Sequence, residues 1–408
     1  MLISRRTLAG LLALAPLGPA LAKPAGPSAP VRAGLSDSAA FAADLHGRLA
    51  PGQDLIASPY SLRAAMLLAY AGAAGATAAQ MRAVLRLPAW EAFAASTAPA
   101  PAAPPAPDDR RPRLEVANAI WPASDILLRP AYVALLRRAM GVGVQGLDFS
   151  RPAAADTINA WVSERTHGRI DRLAEAADLR NARLVLTNAV WFKAYWEDPF
   201  DPWSTRPEPF TSGPGRVITV DMMHKTSRRR YWAGDGLAAV DLAYTGGDYA
   251  MTILLPDRID GLAALESRLT PARLGRWLAA LDGAEGTRVR LSLPRFRIDS
   301  KLDLQAPLQA LGLTLPFSSA ADFSRLSAER LRLDKVIQKA FIAVDEEGTE
   351  AAAATEIGGV GMGRSAPPVE MTIDHPFVYI LRDRRDGSVL FMGRVITPRA
   401  TALPPNRG

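Results

Sequence analysis

Four histidines, His46, His167, His224 and His375, are the only imidazoles in the chain. No two of them stand at H-E-x-x-H or comparable spacing, so the sequence offers no recognisable metal site. There is no cysteine. That excludes thiol nucleophiles, thiolate ligands and a disulfide framework. The G-x-S-x-G turn is absent, a P-loop is absent, and no G-x-G-x-x-G follows a strand. Ser, His and Asp occur at no spacing that nominates a triad. No enzyme activity, metal or cofactor is therefore expected. The net charge of +7 over 408 residues is mild, which gives no reason to expect a nucleic-acid partner. The densest basic run, Lys225 to Arg230 (KTSRRR), reads as a solvated loop or edge strand, with an anion contact as the lesser alternative.

The elements that would position any functional residue read as α+β. Residues 61–87 are rich in Ala, Leu and Met, a helical composition, and 152–175 also read as helix. Strand-like runs cover Arg183–Lys193, Ala250–Leu255, Arg288–Leu293, Val336–Val344, Val378–Arg382 and Ser388–Ile396, several of them bounded by Gly, Pro or Asp. The last two flank Asp386-Gly387, a hairpin signal. Helices early and strands late argue against βαβ winding. Residues 97–113 (TAPAPAAPPAPDDRRPR) are too proline-rich for a core element and read as a surface insertion. At the N-terminus, Arg5-Arg6 precede an apolar run from Leu8 to Leu21 that ends in Ala20-Leu21-Ala22. This reads as a signal peptide over 1–22, of twin-arginine or ordinary secretory type, followed by a tether to residue 34. The chain is thus expected to be exported, to the periplasm or beyond. No later stretch is apolar enough to span a membrane.

Short motifs then carry a resemblance. VIQKAFIAVDEEGTEAAAAT (336–355) and DHPFVYILRDRRDGSVLFMGRVITP (374–398) bracket a loop, Glu356 to Val369, with four glycines and two prolines. Upstream stand ASPYSLRAAM (57–66), GAAGATAAQM (72–81), VANAIW (116–121), INAWVSERTHGRI (158–170), LTNAVWFKAYWEDPF (186–200), VDMM (220–223) and LPRF (293–296). In this order the chain resembles the serpins, here as a bacterial exported member. The resemblance implies one serpin domain over 35–400 with a tail at 401–408. It also implies three β-sheets, eight to nine helices and an exposed reactive loop at about 346–369.

Family membership would imply a monomeric inhibitor of serine-type proteases. The target cleaves the loop and forms an acyl bond, and the loop then inserts into a β-sheet and traps the protease. The alternative is a non-inhibitory member acting as a binding or chaperone protein. The hinge would be Glu346, Glu347, Gly348, Thr349, Glu350, Ala351, Ala352, Ala353, Ala354 and Thr355. Strand alternation puts Thr349, Ala351, Ala353 and Thr355 on one uncharged face and Glu350 and Glu356 on the other. An unpaired buried carboxylate is costly, so the uncharged face is expected to point inward. The resemblance places Ser58, Ser61 and Asn188 in a polar cluster under the opening strands, with Gln338 where the family has a histidine. It places Trp196 where the loop enters. Two registers for the cleaved bond stay open. Met362-Gly363 implies an elastase- or chymotrypsin-like target, and Arg364-Ser365 a trypsin-like one.

Overall fold

The computed structural model describes residues 37–89, 110–349 and 367–399. Its fourteen described strands form three sheets, two of which share a strand. The five-stranded sheet has the order β2 (Arg113–Pro122), β3 (Leu184–Tyr195), β11 (Gly348–Thr349), β10 (Lys335–Val344), β9 (Phe296–Asp303). The second runs β1 (Leu55–Ala57), β14 (Val389–Val395), β13 (Phe377–Asp383), β7 (Tyr249–Pro256), β6 (Leu237–Ala243), β5 (Arg216–Gly234). The third joins β5 to β4 (Arg206–Gly213) on one side and to β8 (Gly286–Pro294) and β12 (Val369–Thr372) on the other. Strand β5 is 19 residues long. Its first part pairs with β4, its middle with β8, and Tyr231 to Gly234 with β6.

Among the described residues there are nine α-helices, α1 (Asp37–His46), α2 (Pro59–Gly72), α3 (Gly75–Leu85), α4 (Pro130–Met140), α5 (Ala153–Arg165), α6 (Ala176–Leu179), α7 (Leu262–Arg268), α8 (Pro271–Asp282) and α9 (Gln305–Ala310). Helix α2 begins where Ser58 accepts from the Ser61 N–H and Pro59 fills the first turn, a position that needs no amide hydrogen. Its small residues Ala65, Ala69 and Ala71 are buried with Leu62, Met66 and Leu68, which lets the helix sit deep under β2 and β3.

The helix expected over 61–87 is two helices, because Ala73 and Ala74 are extended. The helix expected over 152–175 stops at Arg165. There Thr166 Oγ1 donates to Val162 O at 2.8 Å and accepts from Ile170 N at 3.1 Å, and Gly168 follows at φ +73°. Both close the helix end with left-handed backbone and a local hydrogen bond. Of the two readings of the basic run 225–230, loop or edge strand, the strand holds: the run is the middle of β5, paired over these residues with β8 on one side, and Arg229 within it is buried rather than solvated. Strand β2 starts at Arg113, so the proline-rich stretch ends before it. The remaining residues of that stretch, from 97 to 109, and residues 1–36 and 400–408 lie outside the described residues.

Candidate functional site

Every neighbouring pair in the five-stranded sheet is antiparallel except one. Strands β3 and β10 run parallel, from Lys335↔Val185 to Phe341↔Trp191. Above Phe341 they diverge, and β11 enters between them, antiparallel to both: Gly348 pairs with Tyr195, and Thr349 with Ala194 and Val344. A tight turn over 345–348 reverses the chain, with Asp345 N donating to Gly348 O at 3.0 Å. The Asp345 carboxylate accepts from Glu347 N at 3.0 Å and Gly348 N at 3.1 Å. Gly348 lies so close to β3 that a Cβ there would sit 2.0 Å from Ala194 O, which restricts the position to glycine. Thr349 is fully buried, its Oγ1 2.7 Å from Tyr244 Oη.

Aromatic and ionic contacts roof this turn. Trp196 stacks on Tyr244 with centroids 4.5 Å apart, and its Nε1 donates to Asp345 O at 2.9 Å. Trp196 N donates to Glu347 O at 2.7 Å, and Phe200 N to Glu346 O at 2.8 Å. The Glu346 carboxylate accepts the guanidinium fork of Arg295, with Nε at 2.9 Å and Nη2 at 2.6 Å, the geometry of a strong charge-assisted pair. Burial raises the Tyr244 hydroxyl far above its usual range, with the Thr349 contact opposing.

Asp345 behaves differently from Glu346. Burial pushes its carboxyl up to about 7, helped by Glu346 and Glu347 and opposed by the two backbone donors. Its proton is therefore held more tightly in the folded protein than in the unfolded chain. The stability this group contributes is full below about pH 4. It is lost as pH rises through about 7. The melting temperature of Asp345→Asn should accordingly gain on the parent from pH 4 to 7 and keep a constant margin above that. Parallel melting curves for the two proteins across that range would show that Asp345 is already ionised at low pH.

Lower in the seam, the four sequence-predicted polar residues meet. Gln338 and Asn188 are register partners across β10 and β3, and Gln338 Nε2 donates to Asn188 Oδ1. Gln338 also closes a two-way link to Ser58, accepting from its N–H at 2.8 Å and donating to its carbonyl at 3.0 Å. Asn188 Nδ2 reaches Ser61 Oγ and Asn118 Oδ1. Ser58 Oγ donates to Leu390 O at 2.6 Å. The cluster joins α2, β3, β10 and β14 with side chains that are fully buried at Ser58, Ser61, Asn188 and Gln338. A glutamine amide donates and accepts at once, so it holds this position without a titrating group.

Sequence reasoning did not find Asn118, Tyr244, Arg295 or the role of Asp345. Asn118 lies in the quoted VANAIW run, but its place opposite Asn188 is set by the β2–β3 register, which the structure supplies. Glu350 to Thr355, Met362, Gly363, Arg364 and Ser365 lie outside the described residues. The four histidines are scattered. His46 meets Glu266 at 2.8 Å, His167 meets Glu115 at 3.1 Å, His224 meets Ser292 at 2.9 Å, and His375 meets Asp374 at 2.7 Å. Among the described residues no three His, Asp or Glu side chains converge in a way that could hold a metal ion. The arrangement is a sheet with a partly open parallel seam, a polar bolt across it, and a chain turn starting to enter it.

Comparison with known proteins matches this architecture. A family model described as Serpin (serine protease inhibitor) matches residues 36–398. The chain is 34% identical to Iripin-2 of Ixodes ricinus over 357 residues, covering 85% of this chain and 88% of that protein. It is 34% identical to the leukocyte elastase inhibitor of Bos taurus over 380 residues, covering 88% and 97%. The crystal structure of Serpin48, described as a highly specific serpin of the insect Tenebrio molitor, superposes with a TM-score of 0.77 at 29% identity. That match covers 89% of this chain and 97% of Serpin48.

Proposed function

This chain belongs to the serpin family, and from that premise we propose that it is a serine-protease inhibitor acting by loop insertion. The supporting observation is the seat of Gly348 and Thr349 between β3 and β10, antiparallel to both. Continued downward, the same path would replace the sheet's parallel ladder by two antiparallel ones, each with better-aligned hydrogen bonds. With Thr349 buried, alternation assigns Ala351, Ala353 and Thr355 to the inward face and Glu350 and Glu356 to the outward one. In this reading Ser58, Ser61, Asn188 and Gln338 hold the seam shut. Trp196, Asp345 and the Glu346–Arg295 pair fix the pivot of the moving segment.

The relatives compared above come from animals, so the bacterial origin and export of this chain rest on its leader residues. Arg5-Arg6 and the apolar run to Leu21 support a route across a membrane. Passage into the growth medium or periplasm, with cleavage after Ala22, is checked by N-terminal sequencing of the mature protein.

Target class follows from the bond attacked. Incubated with trypsin-, elastase- and chymotrypsin-like proteases, the protein should form a complex that survives SDS with at least one of them. Mass spectrometry of the released C-terminal fragment then reads the register. A fragment beginning at Ser365 assigns a trypsin-like target, and one beginning at Gly363 an elastase- or chymotrypsin-like one. Cleavage by every protease without any stable complex would replace the inhibitory reading by the binding-protein one.

A further inference from the structure

One face of β5 holds a buried cation with an unfilled hydrogen-bonding edge. Lys225, Ser227 and Arg229 alternate along the strand and so share a face. The Arg229 side chain is only 6% exposed, yet its Nε and Nη2 have no hydrogen-bond partner. Ser227 Oγ, two residues away, is buried and unpartnered as well. Nε–H and Nη2–H lie on the same edge of a guanidinium and form the fork that grips two oxygens of one anion. Among the described residues the carboxylate in ionic reach is Asp198, and it is already engaged. Its Oδ1 lies 2.9 Å from Lys225 Nζ, while its Oδ2 stays 3.8 Å from Arg229 Nη2, beyond hydrogen-bond range. Phe200 supplies an apolar floor, its ring centre 5.7 Å from the guanidinium carbon. Two cations thus share one carboxylate, and of the three groups Arg229 is the desolvated one, so its incompletely matched charge is the costly one.

We propose that this cluster is an oxyanion-binding site, in which a small carboxylate, sulfate or phosphate takes the Arg229 fork with two oxygens. Ser227 Oγ donates to the same ligand, and Lys225 adds charge from two residues further along. The site borders the hinge, because Phe200 also holds Glu346 through its backbone N–H. Occupancy therefore braces the segment on which the turn at 345–348 rests. The proposal does not depend on protease inhibition.

The test is calorimetric titration of the intact full-length protein with inorganic phosphate, sulfate and acetate, at an ionic strength fixed with sodium chloride. Chloride lacks the paired oxygens, so it serves as the background. Saturable binding of one equivalent is expected for at least one of the three, with a melting temperature that rises and then levels. Arg229→Leu should lose the saturable heat and, relieved of its buried charge, melt no lower than the parent without ligand. Arg229→Lys keeps the charge but not the fork, and should bind at least about tenfold more weakly. It decides the matter if Arg229→Leu does not fold. Absence of saturable heat in the parent at millimolar oxyanion, or equal binding by Arg229→Lys, overturns the proposal.

Discussion

Cutting the chain once within residues 356–366 is expected to raise its melting temperature by about 20 °C. Most nicks loosen a protein, because they free backbone that tertiary contacts held. Here the intact loop is tethered at both ends. Its near end is pinned at Thr349 in the seam, and its far end at β12, which pairs with β8 in a different sheet. A cut releases the near segment to follow β11 down the sheet. If about fifteen extra hydrogen bonds form at about 1 kcal/mol net each, the gain is about 15 kcal/mol. A domain of this size unfolds with an entropy of about 0.8 kcal/mol per kelvin, which converts that gain to about 20 °C. Scanning calorimetry before and after limited proteolysis measures it. A midpoint that stays put or falls after clean cleavage would mean that the loop does not insert, and the serpin fold would then serve binding alone.

If the protein inhibits by loop insertion as proposed, Thr349→Arg should turn it from inhibitor into substrate. Thr349 is fully buried against Tyr244, on which Trp196 stacks. No acidic side chain is hydrogen-bonded or paired to Thr349 or Tyr244 among the described residues, so an arginine there has no counter-charge. An arginine therefore holds β11 out of the seam; leaving a charge buried without a partner costs about 3–5 kcal/mol, and an insertion barrier raised by that much slows the step by at least about a hundredfold. Deacylation then wins, and the protease is released after cutting the loop. The readout is the ratio of stable complex to cleaved inhibitor on a denaturing gel. Thr349→Val keeps the shape without charge and should still form complex. Undiminished trapping by Thr349→Arg would mean that residue 349 leaves the seam during the reaction rather than leading the way in.

The strands easiest to read from sequence were those buried on both faces. All seven residues of β13 and all seven of β14 are buried, so apolar runs, Phe377 to Leu381 and Val389 to Met392, stand on either side of an Asp-Gly turn. Strand β5 stayed open between loop and edge strand over 225–230 because its exposed Thr226 and Arg228 alternate with partly buried Lys225 and Ser227 and buried Arg229. That pattern looks like a polar loop unless the partner strand is known. A second Asp-Gly pair, Asp235-Gly236, with both residues at positive φ, marked the β5–β6 hairpin and went unused. Helix ends were lost for a similar reason: Thr166 ends α5 through its side chain, which composition does not show. The family motifs carried Ser58, Ser61, Asn188, Gln338 and Trp196. Asn118, Tyr244 and Arg295 come from strands or loops far away in sequence. Their part in the site depends on register, which one sequence does not disclose.

Two antiparallel ribbons make up most of the five-stranded sheet, β2 with β3 and β10 with β9, and among the described residues they pair directly with each other along the parallel ladder from Lys335 to Phe341. Side chains of Gln338 and Asn188 span that line where a sheet would ordinarily pack aliphatic groups. To deuterium in the solvent, such a sheet presents two slow-exchanging slabs with a faster line between them. The amides joining β3 to β10 should open together in a local fluctuation, well below the free energy of global unfolding. Amides inside each ribbon should wait for the whole domain. The boundary between the two exchange classes would then trace the path that an entering strand has to follow.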